Sequence, residues 1–198
     1  MTTILATLLL LLVAATPALA FDLERIFRKG STVLSVEAGG GSQSNLESFR
    51  VQSDLDLWYL GIRYSLLPMD PVGPSILRGA LEVGLEPIYQ RYTGGREGFW
   101  AGLSAQARWN MLGLSFGRFV PYIELGAGAG GTDLNAIEID SSFAFLLSVG
   151  VGASFFITDR AALYGGYRMV HVSNGHISNP NRGFEADTGL VGFSYFFK

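Results

Sequence analysis

The chain of 198 residues contains no cysteine, which excludes disulfide bonds, thiolate metal sites and cysteine nucleophiles. Charged residues make up only 16% of the sequence, and the formal net charge is −3. Because this composition gives no basic surface, we expect no nucleic-acid partner. After residue 20 there is no uninterrupted apolar run long enough for a transmembrane helix, so helical membrane spans are not expected in the mature chain.

The first twenty residues have the pattern of a secretory signal peptide. They carry no charged side chain, they are almost continuously apolar from Ile4 to Ala15, and they end in Ala18-Leu19-Ala20. Small residues in this spacing are typical of a signal-peptidase site. The alternative is a retained membrane anchor, for which the apolar run is short. We therefore predict a signal peptide over 1–20 and a mature domain over 21–198.

The mature chain alternates apolar and polar residues with a period of two, which is typical of β-strands. In residues 143–156, for example, Phe143 and Leu147 alternate with Ser148 and Ser154. The pattern predicts eight strands, at about 31–40, 57–66, 77–91, 98–110, 117–129, 143–156, 161–173 and 184–197. We therefore expect an all-β protein, an eight-stranded antiparallel transmembrane β-barrel of the outer membrane with its apolar row towards lipid.

The second row of each strand is rich in glycine, alanine and serine, which suits the narrow interior of an eight-stranded barrel. We expect the charges on this row to pair across the lumen: Glu37, Glu82, Glu86, Glu124, Arg63, Arg78, Arg108 and Arg168. Aromatic residues near strand ends are expected to form girdles at the membrane interfaces: Trp58, Tyr89, Trp100 and Trp109. The alternative is a soluble barrel with an apolar interior.

Both termini are expected in the periplasm, which makes the short Thr158-Asp159 turn periplasmic. The connections that then face the outside are 41–54, 92–97, 130–141 and 174–183. They are mostly polar and glycine-rich, as is typical of external loops.

Polar residues with catalytic potential lie at the outer end of the last hairpin. His171 and Ser173 are two residues apart on one strand, so both point to the same face. Closing the hairpin brings Glu185 beside them, on the same outward row as the lipid-facing residues. A serine, an imidazole and a carboxylate are the components of a hydrolytic triad, with Asp187 as the alternative carboxylate. The alternative is that these residues are polar groups at the membrane boundary without a catalytic role, because polar strand ends are common.

The segment His171-Val172-Ser173-Asn174-Gly175, followed by Asn181-x-Gly183-Phe184-Glu185, resembles the signature of the lipid A 3-O-deacylase (PagL) family. Members of that family are eight-stranded outer-membrane barrels that hydrolyse the ester-linked acyl chain at position 3 of lipid A. The motif covers about 164–197, and the barrel layout corresponds loosely over the whole chain. Two departures are His176, where family members tend to have small residues, and Lys198 after the terminal aromatic residue.

The resemblance implies a role for each residue of the motif. Ser173 would be the nucleophile, His171 the general base and Glu185 the acid that orients it. Three further residues would support the site or its oxyanion hole: Asn174, Gly175 and Asn181. The departure at His176 leaves the oxyanion donor in the loop open.

On this basis we expect an esterase that acts on lipid A (lipopolysaccharide) in the outer leaflet, with the membrane as its surroundings. No cofactor or metal is expected, since the site region has no carboxylate cluster that would suggest calcium. A homodimer is compatible with the sequence. One alternative is a non-catalytic barrel with a structural, adhesive or small-permeation role. Another is a lipid A acyltransferase, which would need a lumenal slot and therefore disagrees with the outward parity of His171 and Ser173.

Overall fold

The computed structural model describes residues 21–46 and 51–197, and the predicted signal peptide lies outside these residues. Eight antiparallel strands form a closed barrel in which each strand pairs with its neighbours in sequence and the last pairs with the first. The strands are β1 (Thr32–Gln43), β2 (Leu55–Leu66), β3 (Ala80–Gly94), β4 (Gly98–Asn110), β5 (Phe119–Thr132), β6 (Phe143–Phe156), β7 (Ala161–Ser173) and β8 (Phe184–Phe197). The predicted all-β fold of eight antiparallel strands is confirmed.

In the part of the chain that the structure describes, helical structure consists of short segments at one end of the barrel. They are the α-helix α1 (Leu23–Ile26) and two 3-10 turns, Ser75–Leu77 and Leu112–Leu114. Within residues 21–46 and 51–197, no helix has the length and apolar character needed to cross a membrane. We call this end, which also holds the last residues of β8, the terminal end. The opposite end, with the β1–β2, β3–β4, β5–β6 and β7–β8 connections, is the loop end.

The ends of some strands differ from the prediction. β1 continues to Gln43 because Gly39, Gly40 and Gly41 stay paired with both β2 and β8. β3 begins at Ala80 because residues 75–77 form a 3-10 turn. The prediction that Arg78 lies in the lumen is therefore wrong: its guanidinium lies outside the barrel and forms a salt bridge with Glu24 of α1.

The other predicted lumenal charges are all buried inside the barrel. Arg168 joins Glu37 and Glu124, each at 2.6 Å, and Arg63 contacts Glu37 at 3.1 Å and Glu86 at 3.2 Å. Arg108 adds a third guanidinium, 2.8 Å from Glu124. The expected pairing across the lumen is confirmed for this set, and it is required because an unpaired buried charge is costly. We call these six residues the lumenal charge cluster.

Apolar side chains fill the interior on both sides of the lumenal charge cluster. Towards the terminal end, Phe27 packs against Phe156 and Phe196 with ring centroids 5.7 and 5.4 Å away. Towards the loop end the core contains Trp100, which is fully buried and donates its indole N–H to the Ala144 carbonyl at 3.1 Å. The barrel therefore has a packed interior, as expected for eight strands.

The buried position of Trp100 contradicts its prediction as a girdle residue. It occupies the inward row of β4, together with Ser104 and Gln106. Trp58 and Tyr89 do lie on the exterior, where 46% and 39% of each residue is exposed. The rest of the outer surface is also largely apolar, with exposed Leu60, Ile62, Leu125, Leu147, Val151 and Leu163.

Candidate active site

The pairing of β7 with β8 places His171 directly opposite Glu185 at the loop end. Both side chains lie on the outer face, where the neighbour of His171 on β6 is the exposed Leu147. The imidazole Nδ1 and the carboxylate Oε1 are 2.8 Å apart, with 33% of the His171 side chain and 16% of the Glu185 side chain exposed. This short, half-buried contact fixes the orientation of the ring.

The β1–β2 connection holds the Glu185 carboxylate from its other side. The backbone N–H of Leu46 donates to Glu185 Oε2 at 3.2 Å, and the backbone N–H of Glu185 donates to Asn45 Oδ1 at 3.1 Å. The carboxylate therefore has one oxygen on the imidazole and one on a loop. Asn45 and Leu46 could not be predicted from the sequence, because strand periodicity carries no information on contacts between distant loops.

Ser173 lies two residues beyond His171 on the same outer row, opposite Phe145 of β6. Gly183 fills the space beside both side chains: a methyl group built on its Cα would lie 2.8 Å from His171 Cε1 and 3.2 Å from Ser173 Cβ. Among the described residues, the Ser173 hydroxyl has no hydrogen-bond partner within bonding distance. The structure thus places His171, Ser173 and Glu185 next to one another on the outer face. A hydrogen bond joins His171 and Glu185, whereas the Ser173 hydroxyl makes no hydrogen bond to the imidazole ring.

The β7–β8 connection is ordered by the two asparagines of the motif. Asn174 is fully buried, and its Nδ2 donates to Ser178 Oγ at 2.9 Å while its Oδ1 accepts the His176 N–H at 3.0 Å. Asn181 Oδ1 accepts the backbone N–H of Asn174 at 2.7 Å. Both amides are therefore engaged in holding the loop.

Gly175 is exposed at the start of this loop, with φ at +62°, a conformation that favours glycine. Its backbone N–H has no partner in the part of the chain that the structure describes. This N–H is two residues after Ser173 and is available to a ligand.

Asp187, the alternative acid, lies two residues after Glu185 on β8 and is paired with Met169 of β7. Its carboxylate accepts a hydrogen bond from the Tyr167 phenol. The carboxylate that contacts the imidazole is that of Glu185. Within residues 21–46 and 51–197, no group of three or more His, Asp and Glu side chains is arranged to hold a metal ion.

A family model for lipid A 3-O-deacylase (PagL) matches residues 77–194, which is more than half of the chain. The chain belongs to this family. The matched region includes all of β7 and most of β8, and therefore every residue of the candidate site on the last hairpin. The predicted resemblance of the chain to this family is thus confirmed.

Solved structures with the same fold include the outer membrane enzyme PagL. It is 18% identical, with a TM-score of 0.62 over 80% of this chain and 97% of that one. Neisserial surface protein A (NspA) is 16% identical, with a TM-score of 0.56 over 85% of this chain and 100% of that one. No curated protein sequence matches the chain at a significant level. Identities this low establish the fold alone.

Membership of the PagL family identifies the protein as an outer-membrane β-barrel, and the alternative of a soluble barrel is wrong. The apolar exterior consequently faces lipid. His171, Ser173 and Glu185 then lie on the lipid-facing surface close to the loop end. Neither the family match nor the PagL structure supports the homodimer that the sequence left possible.

Proposed function

We propose that this chain hydrolyses the 3-O-linked acyl ester of lipid A, with Ser173 as nucleophile, His171 as general base and Glu185 as the acid that orients the base. The observation that carries the proposal is the 2.8 Å contact between His171 Nδ1 and Glu185 Oε1 beside Ser173. Because Nδ1 is engaged by the carboxylate, Nε2 is the ring nitrogen that can accept a proton. Membership of the PagL family supports the same chemistry.

The reaction proceeds in two steps. His171 Nε2 takes the proton of Ser173 Oγ as Oγ bonds to the ester carbonyl carbon, and the proton then passes to the sugar oxygen as the carbon–oxygen bond breaks. Water next attacks the acyl-serine, and its proton returns through His171 to Ser173 Oγ as the fatty acid leaves. The serine–imidazole hydrogen bond forms on substrate binding, as catalytic hydrogen bonds of unliganded enzymes often do.

The developing oxyanion needs donors that point at the reacting carbon. The free N–H of Gly175 is suited to this role, and the loss of one such donor typically costs about 3–4 kcal/mol of transition-state stabilisation. Asn174 and Asn181 act indirectly, because their hydrogen bonds hold the loop that presents Gly175.

The outer face of the barrel is the appropriate place for this chemistry. Lipid A is an amphiphile of the outer leaflet, so its acyl esters lie near the boundary between polar and apolar layers. A site on the lipid-facing wall at the loop end reaches such an ester by lateral diffusion, with no need for the acyl chain to enter the packed lumen. The filled lumen also disfavours the acyltransferase and small-permeation alternatives.

The direct test is mass spectrometry of lipid A after incubation with the refolded chain, wild type beside Ser173→Ala. Ser142→Ala serves as the matched control, because Ser142 is an exposed serine in another connection of the loop end. We expect wild type and Ser142→Ala to remove one 3-hydroxyacyl chain and Ser173→Ala to leave lipid A intact. Removal of the acyl chain by all three proteins would refute Ser173 as the nucleophile.

The second candidate function is a non-catalytic barrel. It is favoured by the absence of a bond between the Ser173 hydroxyl and the imidazole in the described residues, and by the shared fold with Neisserial surface protein A. In that case all three folded proteins would leave lipid A intact.

A further inference from the structure

Glu138 belongs to the β5–β6 connection, yet its side chain is completely buried. Its Oε1 accepts the Gln43 Nε2 at 2.9 Å and the Ser53 N–H at 3.0 Å, and its Oε2 accepts the Ser53 hydroxyl at 2.7 Å. The Arg182 guanidinium lies 3.6 Å away. Burial opposes ionisation of this carboxyl, but the hydrogen bonds from Ser53 and Gln43 outweigh it and hold its pKa below the usual range. Glu138 is therefore a carboxylate at neutral pH.

One chain of contacts leads from Glu138 to the nucleophile and the base. Its backbone carbonyl accepts the Arg182 N–H at 2.8 Å and the Gly183 N–H at 3.3 Å. Gly183 lies beside His171 and Ser173, so closely that a methyl group on it would meet both side chains. The position of Glu138 thus sets how closely the β7–β8 connection approaches these two side chains.

A second chain of contacts leads from Glu138 to the acid. Gln43 Nε2, which donates to Glu138, also lies 3.1 Å from Asn45 Oδ1. Asn45 Oδ1 in turn accepts the backbone N–H of Glu185 at 3.1 Å, and the next residue, Leu46, donates to the Glu185 carboxylate. The two chains of contacts reach opposite sides of the candidate triad.

We infer that Glu138 is a positioning residue for the active site, one that ties the β1–β2 and β7–β8 connections together so that His171, Ser173 and Glu185 keep their geometry. This role rests on the proposed esterase function. A surface loop needs no buried carboxylate for its own stability, since burying a charge without partners is costly. Here Gln43 and Ser53 donate the hydrogen bonds to the carboxylate, and the β7–β8 connection brings the Arg182 guanidinium to 3.6 Å from it. Two backbone N–H groups of the β7–β8 connection also donate to the Glu138 carbonyl, so this one residue contacts both connections that reach the triad.

The inference is tested with Glu138→Ala and Glu138→Gln in the full chain, refolded in detergent. The matched control is Glu97→Ala, which removes a glutamate of the same end whose side chain is 75% exposed and pairs with Arg91. Three quantities are measured: kcat and KM on lipid A, the rate at which a small fluorophosphonate labels Ser173, and amide hydrogen exchange by mass spectrometry. The fluorophosphonate reports on nucleophile activation without lipid binding.

For Glu138→Ala we expect faster exchange in the segments 43–46 and 181–183, and a kcat and labelling rate each about tenfold lower or more, with KM changed by less than about threefold. Glu138→Gln should fall between Glu138→Ala and wild type, because its amide oxygen still accepts a hydrogen bond. Glu97→Ala should match wild type in all three.

If Glu138→Ala had the same labelling rate and kcat as wild type, this result would contradict the positioning role, whether or not amide hydrogen exchange changed. Unchanged exchange would contradict the link between the two connections. If wild type itself is not labelled at Ser173 and leaves lipid A intact, the proposed esterase function fails, and the positioning role fails with it. That outcome is distinguishable because it appears before any Glu138 variant is compared.

Discussion

The candidate chemistry depends on the imidazole of His171, and the contact with one carboxylate fixes the orientation of this ring. Glu185 contacts Nδ1, while Asp187 on the same strand is occupied by Tyr167. A carboxylate in this position sets the tautomer of the ring and stabilises the imidazolium that forms during the reaction.

Replacing Glu185 with glutamine keeps the shape of the side chain but removes its charge. We expect Glu185→Gln to lower kcat by about 10⁴-fold, because the ring loses both its preferred tautomer and its counter-charge. Asp187→Asn is the control, and should stay within a few-fold of wild type. Steady-state release of fatty acid from lipid A measures both, and a larger loss in Asp187→Asn would assign the acid role to Asp187.

A substitution at Gly183 tests how closely this glycine packs against the triad. A methyl group at this position would meet His171 Cε1 at 2.8 Å, so Gly183→Ala should displace the ring and lower kcat by about 10²-fold. Gly117→Ala is a suitable control, because Gly117 also has positive φ, at +57°, but has no atom within 4 Å of the new methyl group. Both substitutions carry similar backbone strain. Equal activity in the two variants would show that the close packing at Gly183 has no catalytic consequence.

Among the structural elements, those at the terminal end pack together and stabilise the fold, whereas those at the loop end carry the candidate site. Phe27 follows α1 and is fully buried against Phe156 and Phe196. We expect Phe27→Ala to lower the free energy of unfolding by about 3–5 kcal/mol, while kcat at a temperature where the barrel is folded stays unchanged. Urea titration in lipid vesicles measures the first quantity. A matching fall in kcat would mean that the two ends are coupled.

The strands could be predicted from the sequence because their period of two is a direct consequence of barrel geometry. The alternation of apolar and polar residues that predicts eight strands also predicts that His171, Ser173 and Glu185 lie on the outward row. The family motif could be found in the sequence because it is short and lies on one hairpin. Trp100 was assignable by the same parity, since it shares a row with Ser104 and Gln106. Its prediction as a girdle residue relied on residue type instead.

The rest of the site could not be predicted because it comes from contacts between connections that are far apart in the sequence. Gln43, Asn45 and Glu138 have no periodic signal, and each of them acts through hydrogen bonds that only the closed barrel brings together. Arg78 was misassigned for a related reason, since the alternation around it continues into a 3-10 turn outside the barrel wall.

For the whole molecule, the lumenal charge cluster and the apolar side chains around it fill the barrel interior, and the candidate site lies on the exterior. Arg63 contacts Glu37, Glu86 and Glu124 and is almost fully buried. Removing it leaves these buried carboxylates with fewer partners, so we expect Arg63→Ala to lower the free energy of unfolding by about 3–5 kcal/mol.

Arg91→Ala, which removes an ion pair with an exposed glutamate, is the control and should cost about 0–1 kcal/mol. Urea titration in lipid vesicles compares the two variants. Similar losses for both would mean that the lumenal charge cluster contributes no more than a surface pair.

We have proposed that the outer wall of this barrel hydrolyses an acyl ester of lipid A through Ser173. The decisive experiment is to run the lipid A reaction in water enriched in heavy oxygen and to analyse both products by mass spectrometry. Hydrolysis through an acyl-serine places the heavy oxygen in the carboxyl group of a released 3-hydroxy fatty acid and none in the sugar, and Ser173→Ala releases nothing. Intact lipid A with a correctly folded wild-type barrel, or heavy oxygen in the sugar, would contradict the claim.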